Sequence, residues 1–217
     1  MTYTTGFFKK RFEFLLVSFL VLMFGTTYFT SPIAMHIVVT QNLIAGLLVF
    51  YQQKTLRIVI TAFILVHTIW VIGPNYFIWL RQHEIKPELY LIYFALISFQ
   101  VYKQIFKSRT VSVEMISAVM CGFILLCFIA TFLFAEVEAM HTNSFSNIGT
   151  GREQLSYLNY FSVTTLLTIG FGDIVPITLI AKRWVMFMSL LGHFYTVFVT
   201  AIVIGKYLSN KNSDDTG

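Results

Sequence analysis

At 217 residues, 57% of them hydrophobic and only 12% charged, with mean hydropathy +0.75, the chain lies outside the range of a soluble globular domain and reads as an integral membrane protein. The net charge of +5 does not indicate nucleic acid, because the basic residues stand singly or in small groups between apolar runs, where membrane topology accounts for them. Cys121 and Cys127 lie six residues apart in one apolar run, on different turns and largely different faces of a helix, which disfavours a bridge.

The first apolar run, about Phe12 to Phe29, follows the basic segment FFKKR. It is as long as a bilayer-spanning helix and has no small-residue cleavage site before Ser31-Pro32, so a span is expected rather than a signal peptide. A second run goes from Ile33 to Tyr51, a third from about Ile58 into the aromatic stretch ending at Trp79-Leu80, and a fourth from about Leu89 to Phe106. The fifth covers Val111 to Phe134 and the sixth about Arg183 to Leu208. Placing the N-terminus inside leaves ten basic residues on the inner side (Lys9, Lys10, Arg11, Lys54, Arg57, Lys103, Lys107, Arg109, Lys206, Lys211). Five fall outside (Arg81, Lys86, Arg152, Lys182, Arg183), the bias expected of cytoplasmic loops. Tyr76, Trp79, Tyr90 and Trp184 then fall near the outer boundary, as interfacial anchors do.

Between the fifth and sixth runs, Glu136 to Gly149 is polar and reads as an exposed turret. Thr150-Gly-Arg-Glu153 fits a capping box, which starts a short helix running through Tyr157, Tyr160 and Phe161 to Leu166. Such a helix stops part way through the membrane, and its partially negative C-terminal end favours a cation beyond it. The segment TTLLTIGFGDIVP, Thr164 to Pro176, follows. Gly170 and Gly172 can take positive φ without a Cβ penalty, so the carbonyls of Thr168, Ile169, Gly170 and Phe171 can face one axis, with the Thr168 hydroxyl below them. The motif occurs once, so a closed ring of such carbonyls takes several copies of the chain.

Thr168-Ile169-Gly170-Phe171-Gly172-Asp173 resembles the selectivity-filter signature of the potassium-channel superfamily, usually Thr-Val-Gly-Tyr-Gly-Asp. Asp173 to Leu179 is similar to the post-filter segment of two-helix bacterial potassium channels, and a filter phenylalanine also occurs in two-pore-domain potassium channels. The resemblance covers about Val111 to Leu208. It implies four copies of the chain, a homotetramer, and K+ ligands at Thr168, Ile169, Gly170, Phe171 and Gly172, with filter support from Asp173, Tyr160, Phe161 and Thr164. In many relatives a filter tyrosine bonds a pore-helix tryptophan; here an apolar pair, Phe171 and Phe161, takes those positions, and the Tyr160 hydroxyl is placed to donate to Asp173. Thr164 stands where some bacterial relatives carry a glutamate. Gly192 falls at the hinge position of the inner helix, where close packing or a local kink explains a glycine equally well. Thr196, Thr200 and Ile204 fall on its pore face at four-residue spacing, as cavity and gate, although threonines also bond their own helix carbonyls. His193, next to Gly192, reads as a packed, neutral histidine.

The expected fold is an all-α integral membrane protein with six transmembrane helices, a re-entrant pore helix and a filter loop. Residues 1–108 form a four-helix unit, 109–209 the pore domain and 210–217 a short cytoplasmic tail, too short for a regulatory domain. The fourth run, YLIYFALISFQVYKQIF, has Lys103 and Lys107 only at its cytoplasmic end, so no array of gating charges crosses the field. His36, Gln41, Asn42 and His67 read as interhelical hydrogen-bonding groups. The expected function is passive, potassium-selective conduction, not strongly voltage-gated; the alternatives are a non-selective cation channel on the same scaffold, or a pore-loop-containing transporter or assembly subunit. No catalytic or cofactor motif is present, and K+ enters as the permeant ion. The expected partners are K+, membrane lipid, three further copies of the chain and, for control, a separate regulatory subunit. The expected location is the plasma (cell inner) membrane, multi-pass, with both termini cytoplasmic.

Overall fold

The chain folds around one long helix, with four helices before it and a shorter and a longer helix after it. The structure, a computed structural model, describes residues 10–28, 32–50, 53–72, 87–108 and 111–214. Among these residues the regular structure is helical, with one isolated antiparallel bridge. The helices are α1 (Arg11–Tyr28), α2 (Pro32–Val49), α3 (Lys54–Ile72), α4 (Pro87–Lys107), α5 (Val113–Met140), α6 (Arg152–Leu166) and α7 (Leu179–Asp214). Tyr76, the Trp79-Leu80 end of the third apolar run, and Lys9, Arg81, Lys86 and Arg109 lie outside the described residues. Among the described residues, three helical stretches are long and apolar enough to cross a membrane, Glu88–Lys107, Val113–Met140 and Leu179–Ser209, and His36–Val49 is a shorter apolar helix.

Helix α5 is the strut. Ser112 caps its N-terminus by accepting the Met115 N–H at 3.3 Å, and Glu114 complements the helix dipole there. It packs against α1 and α4 on one side and α6 and α7 on the other, with 61% of its span buried, whereas only 11% of the α7 span is buried. The inner helix α7 therefore leaves most of its apolar surface uncovered in a single chain. Residues 108–112 are all that separate α4 from α5, a reach of at most roughly 17 Å. That is too short for an intervening helix, so α4 folds back along its own α5.

Two aromatic cores form along this strut. Phe94 stacks on Phe128 at 5.0 Å, with Phe19 at 5.7 Å from Phe128, joining α1, α4 and α5. Further along, Phe134, Phe145 and Phe161 meet at 5.5–5.6 Å and bind α5 to α6. Of the polar groups expected to bond between helices, Gln41, Asn42 and His67 do so. Asn42 donates to the Ser18 hydroxyl at 2.8 Å, Gln41 to the Ser18 carbonyl at 3.1 Å, and the Tyr90 hydroxyl pairs with His67 Nδ1 at 3.1 Å. Both cysteines are free and buried, the Cys121 thiol donating to the Phe12 carbonyl.

Three helices converge where Tyr102 of α4 donates to the Gly122 carbonyl at 3.3 Å and Tyr195 of α7 donates to the Val119 carbonyl. A Cβ on Gly122 would lie 2.6 Å from the Tyr195 hydroxyl oxygen and 3.0 Å from the Tyr102 ring. Gly122→Ala is thus expected to cost about 1–3 kcal/mol by overpacking and to lower the melting temperature in detergent. Tyr195→Phe in the same chain should restore part of the loss, since it removes the closest atom; an unchanged melting temperature for Gly122→Ala would contradict this junction.

Candidate functional site

The segment of interest leaves the end of α6, whose start differs from the sequence expectation. Gly151 occupies the N-cap with φ 64° and ψ −133°, and no side chain caps the helix. The expected capping box of Thr150 and Glu153 does not form, because the chain enters through left-handed backbone at Gly149 and Gly151 that leaves Thr150 outside the cap position. At the other end the chain folds back over the helix. Thr168 N–H donates to the Thr165 carbonyl at 3.0 Å, and Ile169 and Gly170 both donate to the Thr164 carbonyl, at 2.8 and 3.2 Å.

These bonds turn the amides of the loop towards α6. Beyond them, φ is positive at Thr168 (59°), Gly170 (58°) and Gly172 (81°) and negative at Ile169 and Phe171. Alternating handedness places successive N–H groups on one side of a segment and successive carbonyls on the other. Among the described residues, nothing donates to the carbonyls of Thr168 to Gly172 or pairs with the Thr168 hydroxyl. The segment is also open in one chain, with Ile169 50% and Phe171 69% exposed. The glycines were expected to be left-handed; Thr168 was not. A left-handed β-branched residue is a strained one and points to a functional constraint.

The exit of the loop is stitched to the preceding segment. Asn147 donates to the Asp173 carbonyl at 2.8 Å, Ser146 N–H to the Val175 carbonyl at 2.9 Å, and Ile177 N–H to the Ser144 carbonyl at 2.7 Å. The stretch from Glu136 to Gly149 is accordingly not an exposed turret throughout. Helix α5 continues to Met140, and Ser144, Phe145 and Ile148 are buried. Buried Glu138 organises this turn: its carboxylate accepts the N–H groups of Asn143 (2.8 Å), Ser144 (2.8 Å) and Phe145 (3.1 Å). Sequence reasoning missed Glu138, although an acid closing an apolar run is a candidate by default.

The structure places the remaining candidates unevenly. Tyr160 stacks on Phe171, planes 2° apart and centroids 6.4 Å, with its hydroxyl on the side of the Asp173 carboxylate. Phe161 instead is buried against Phe134 and Phe145, so the expected pairing of Phe161 with Phe171 is not formed within the chain. The Thr164 hydroxyl bonds back to the Tyr160 and Phe161 carbonyls of its own helix and does not reach Asp173. On α7, Gly192 packs against α6: a Cβ there would meet the Leu166 side chain at 3.0 Å. The Thr196 hydroxyl donates to the Gly192 carbonyl at 3.1 Å, while Thr196, Thr200 and Ile204 are all exposed in a single chain. His193 is exposed too, its ring near Phe194, rather than packed. Below Ile204, Lys206 reaches the end of α4, its ammonium donating to the carbonyls of Ile105 (2.6 Å) and Phe106 (3.3 Å). A cation on a helix C-terminus is favourable.

A family model described as Ion channel matches residues 121–209, from the middle of α5 through the loop to the end of the apolar part of α7. Fifty residues are 46% identical to TWiK family of potassium channels protein 7 of Caenorhabditis elegans. Residues 121–209 thus carry a segment similar to an ion-channel family, and part of the chain is similar to a potassium channel. The identity covers 23% of this chain and 9% of that protein, so the match is a local one. No solved structure matches. The ion-channel family segment takes in the second part of α5, α6, the loop and most of α7, and the apolar helices suit a multi-pass membrane protein.

Glu138 offers a test of how the loop's exit is held. Glu138→Gln keeps one accepting oxygen and leaves buried N–H groups short of an acceptor, at about 1–3 kcal/mol each. Hydrogen exchange at Ser144 and Phe145 should speed up by an order of magnitude or more, while α1 to α4 keep their protection. Unchanged exchange at those two amides would contradict the anchor.

Proposed function

We propose that four copies of this chain surround an axis and conduct potassium passively and selectively through the loop Thr168 to Gly172. The observation that carries this reading is the alternation of φ from Thr168 to Gly172, with five successive carbonyls left without donors. A dehydrated cation is held by a ring of such oxygens. One chain offers a single column of them, and the exposed faces of Phe171, α7 and Tyr160 are those a neighbouring copy would cover. The relative's printed name and the intact Gly-Phe-Gly end of the motif favour potassium over the non-selective alternative.

In this reading Thr168, Ile169, Gly170, Phe171 and Gly172 coordinate K+, and Asp173, Tyr160, Phe161 and Thr164 hold the loop. Thr196 and Thr200 line a wet cavity and Ile204 narrows the path below it, with Gly192 as the point about which α7 moves. The contact of Gly192 with Leu166 couples any such movement to the end of α6. Six spans, with α1 to α4 as a unit without gating charges, bring Arg11, Lys107 and Lys206 to one end of the bundle. Arg11 pairs there with Glu114 at 3.4 Å, and basic ends of this kind support a cytoplasmic side, hence a plasma-membrane protein with both termini inside.

The purified protein in liposomes should carry a K+ flux that barium blocks, and reversal potentials in mixed potassium and sodium should follow potassium. Gly170→Ala, strained at φ 58° with open space around it, should lower the flux at least about tenfold without loss of assembly. Flux that persists undiminished in Gly170→Ala, or a reversal potential indifferent to the cation, would overturn the proposal.

A further inference from the structure

A second feature lies away from the loop, on the far side of α6. The four-helix unit does not close completely against α5 and α6, and a cavity of about 180 Å³ remains between them. Its walls are apolar: Leu22 of α1, Val39 and Leu43 of α2, Phe94 of α4, Phe128 of α5 and Leu155 of α6. An apolar cavity of about 150 Å³ stays free of water and takes up benzene, so this one has room for a somewhat larger molecule.

The polar groups at its edge are committed elsewhere, with two exceptions on α6. Asn42 is bonded to Ser18 and Tyr93, Tyr90 to His67, and the Thr131 hydroxyl to the Cys127 carbonyl, while the His36 ring lies against that of His67. Ser156 and Asn159 line the cavity three residues apart, and among the described residues neither side chain makes a hydrogen bond. A hydroxyl can turn back to its own helix carbonyl, whereas a mid-helix amide facing an apolar space at membrane depth carries a cost unless something completes it. The site therefore presents an apolar body with a hydrogen-bonding edge on α6, in which Asn159 is the stronger handle.

We propose that this cavity is a binding site for a small, uncharged, membrane-soluble alcohol or phenol, of about ten non-hydrogen atoms, whose hydroxyl bonds the Asn159 side chain. The largely apolar walls, with no carboxylate, lysine or arginine among them, disfavour a charged ligand. A molecule of this size matches the volume, and a purely apolar one leaves Asn159 unsatisfied. Access is from the bilayer, where such molecules concentrate. Binding does not depend on conduction; an effect of binding on K+ flux would, and rests on the function proposed above.

The test is photolabelling of the full-length protein in liposomes with a diazirine-bearing phenol, competed by 4-propylphenol. Labelling is expected to saturate, to map by mass spectrometry to α2, α4 and α6 around the cavity, and to be competed. Val39→Phe, which fills the space from α2, should abolish it; Leu22→Phe, filling it from α1, serves the same purpose should the first variant fail to assemble. Asn159→Leu should weaken labelling by the phenol about tenfold, the worth of one hydrogen bond, and leave labelling by the same probe without its hydroxyl unchanged. Labelling that rises linearly, resists competition or ignores both filling variants would overturn the site. Equal affinity of the two probes for the unsubstituted protein would overturn the role of Asn159. Saturable binding without any change in K+ flux leaves the site standing and removes only its link to conduction.

Discussion

A single carbonyl oxygen, that of Thr164, accepts the amide protons of both Ile169 and Gly170 and so decides which way the loop after α6 faces. With those donors turned to the helix, the following carbonyls have no donor among the described residues. Open in a single chain, this row of five carries the proposed K+ ligands. The two bonds fall on the C-terminal end of α6, where helix carbonyls lack intrahelical donors. One arrangement thus satisfies part of the helix terminus and exposes the loop carbonyls.

The rest of the pore segment keeps that loop in place. Below, Leu166 is pressed against Gly192, so the end of α6 and the middle of α7 sit in contact. Above, the loop's exit is paired with residues 144–147, and these are fixed by the Glu138 carboxylate at the end of α5. The strut α5 therefore carries the loop at one end and α1 and α4 along its length. Through Tyr195 and Lys206, α7 is bonded to the strut and to the end of α4. The lysine contact thus ties the lower end of α7 to the end of α4.

Much of this was legible in the sequence, for identifiable reasons. The apolar runs located the helices, three of which are long and apolar enough among the described residues to cross a membrane, since apolar length is a direct signature of a membrane segment. Gly170 and Gly172 disclosed their backbone because only glycine takes positive φ freely. Thr168 did not, since its conformation is imposed by the bonds around it rather than by its own preference. The capping box failed for a related reason: the pattern Thr-x-x-Glu was present, but Gly149 and Gly151 fixed the chain's path locally. Glu138 and Asn147 were hidden because each bonds backbone groups, which leave no trace in residue identity. Phe161 and Phe171 matched as residue types, yet the aromatic cluster of Phe134 and Phe145 took Phe161, leaving Phe171 to Tyr160.

The central claim is that the open carbonyls of one chain become ion ligands when four chains meet on an axis. The most direct measurement is anomalous scattering from crystals of the assembled protein grown with rubidium or thallium in place of potassium. The account predicts fourfold assembly with peaks on the axis at the levels of the Thr168, Ile169, Gly170 and Phe171 carbonyls. An assembly without that axis, or an axis with no peaks at those levels, would contradict it.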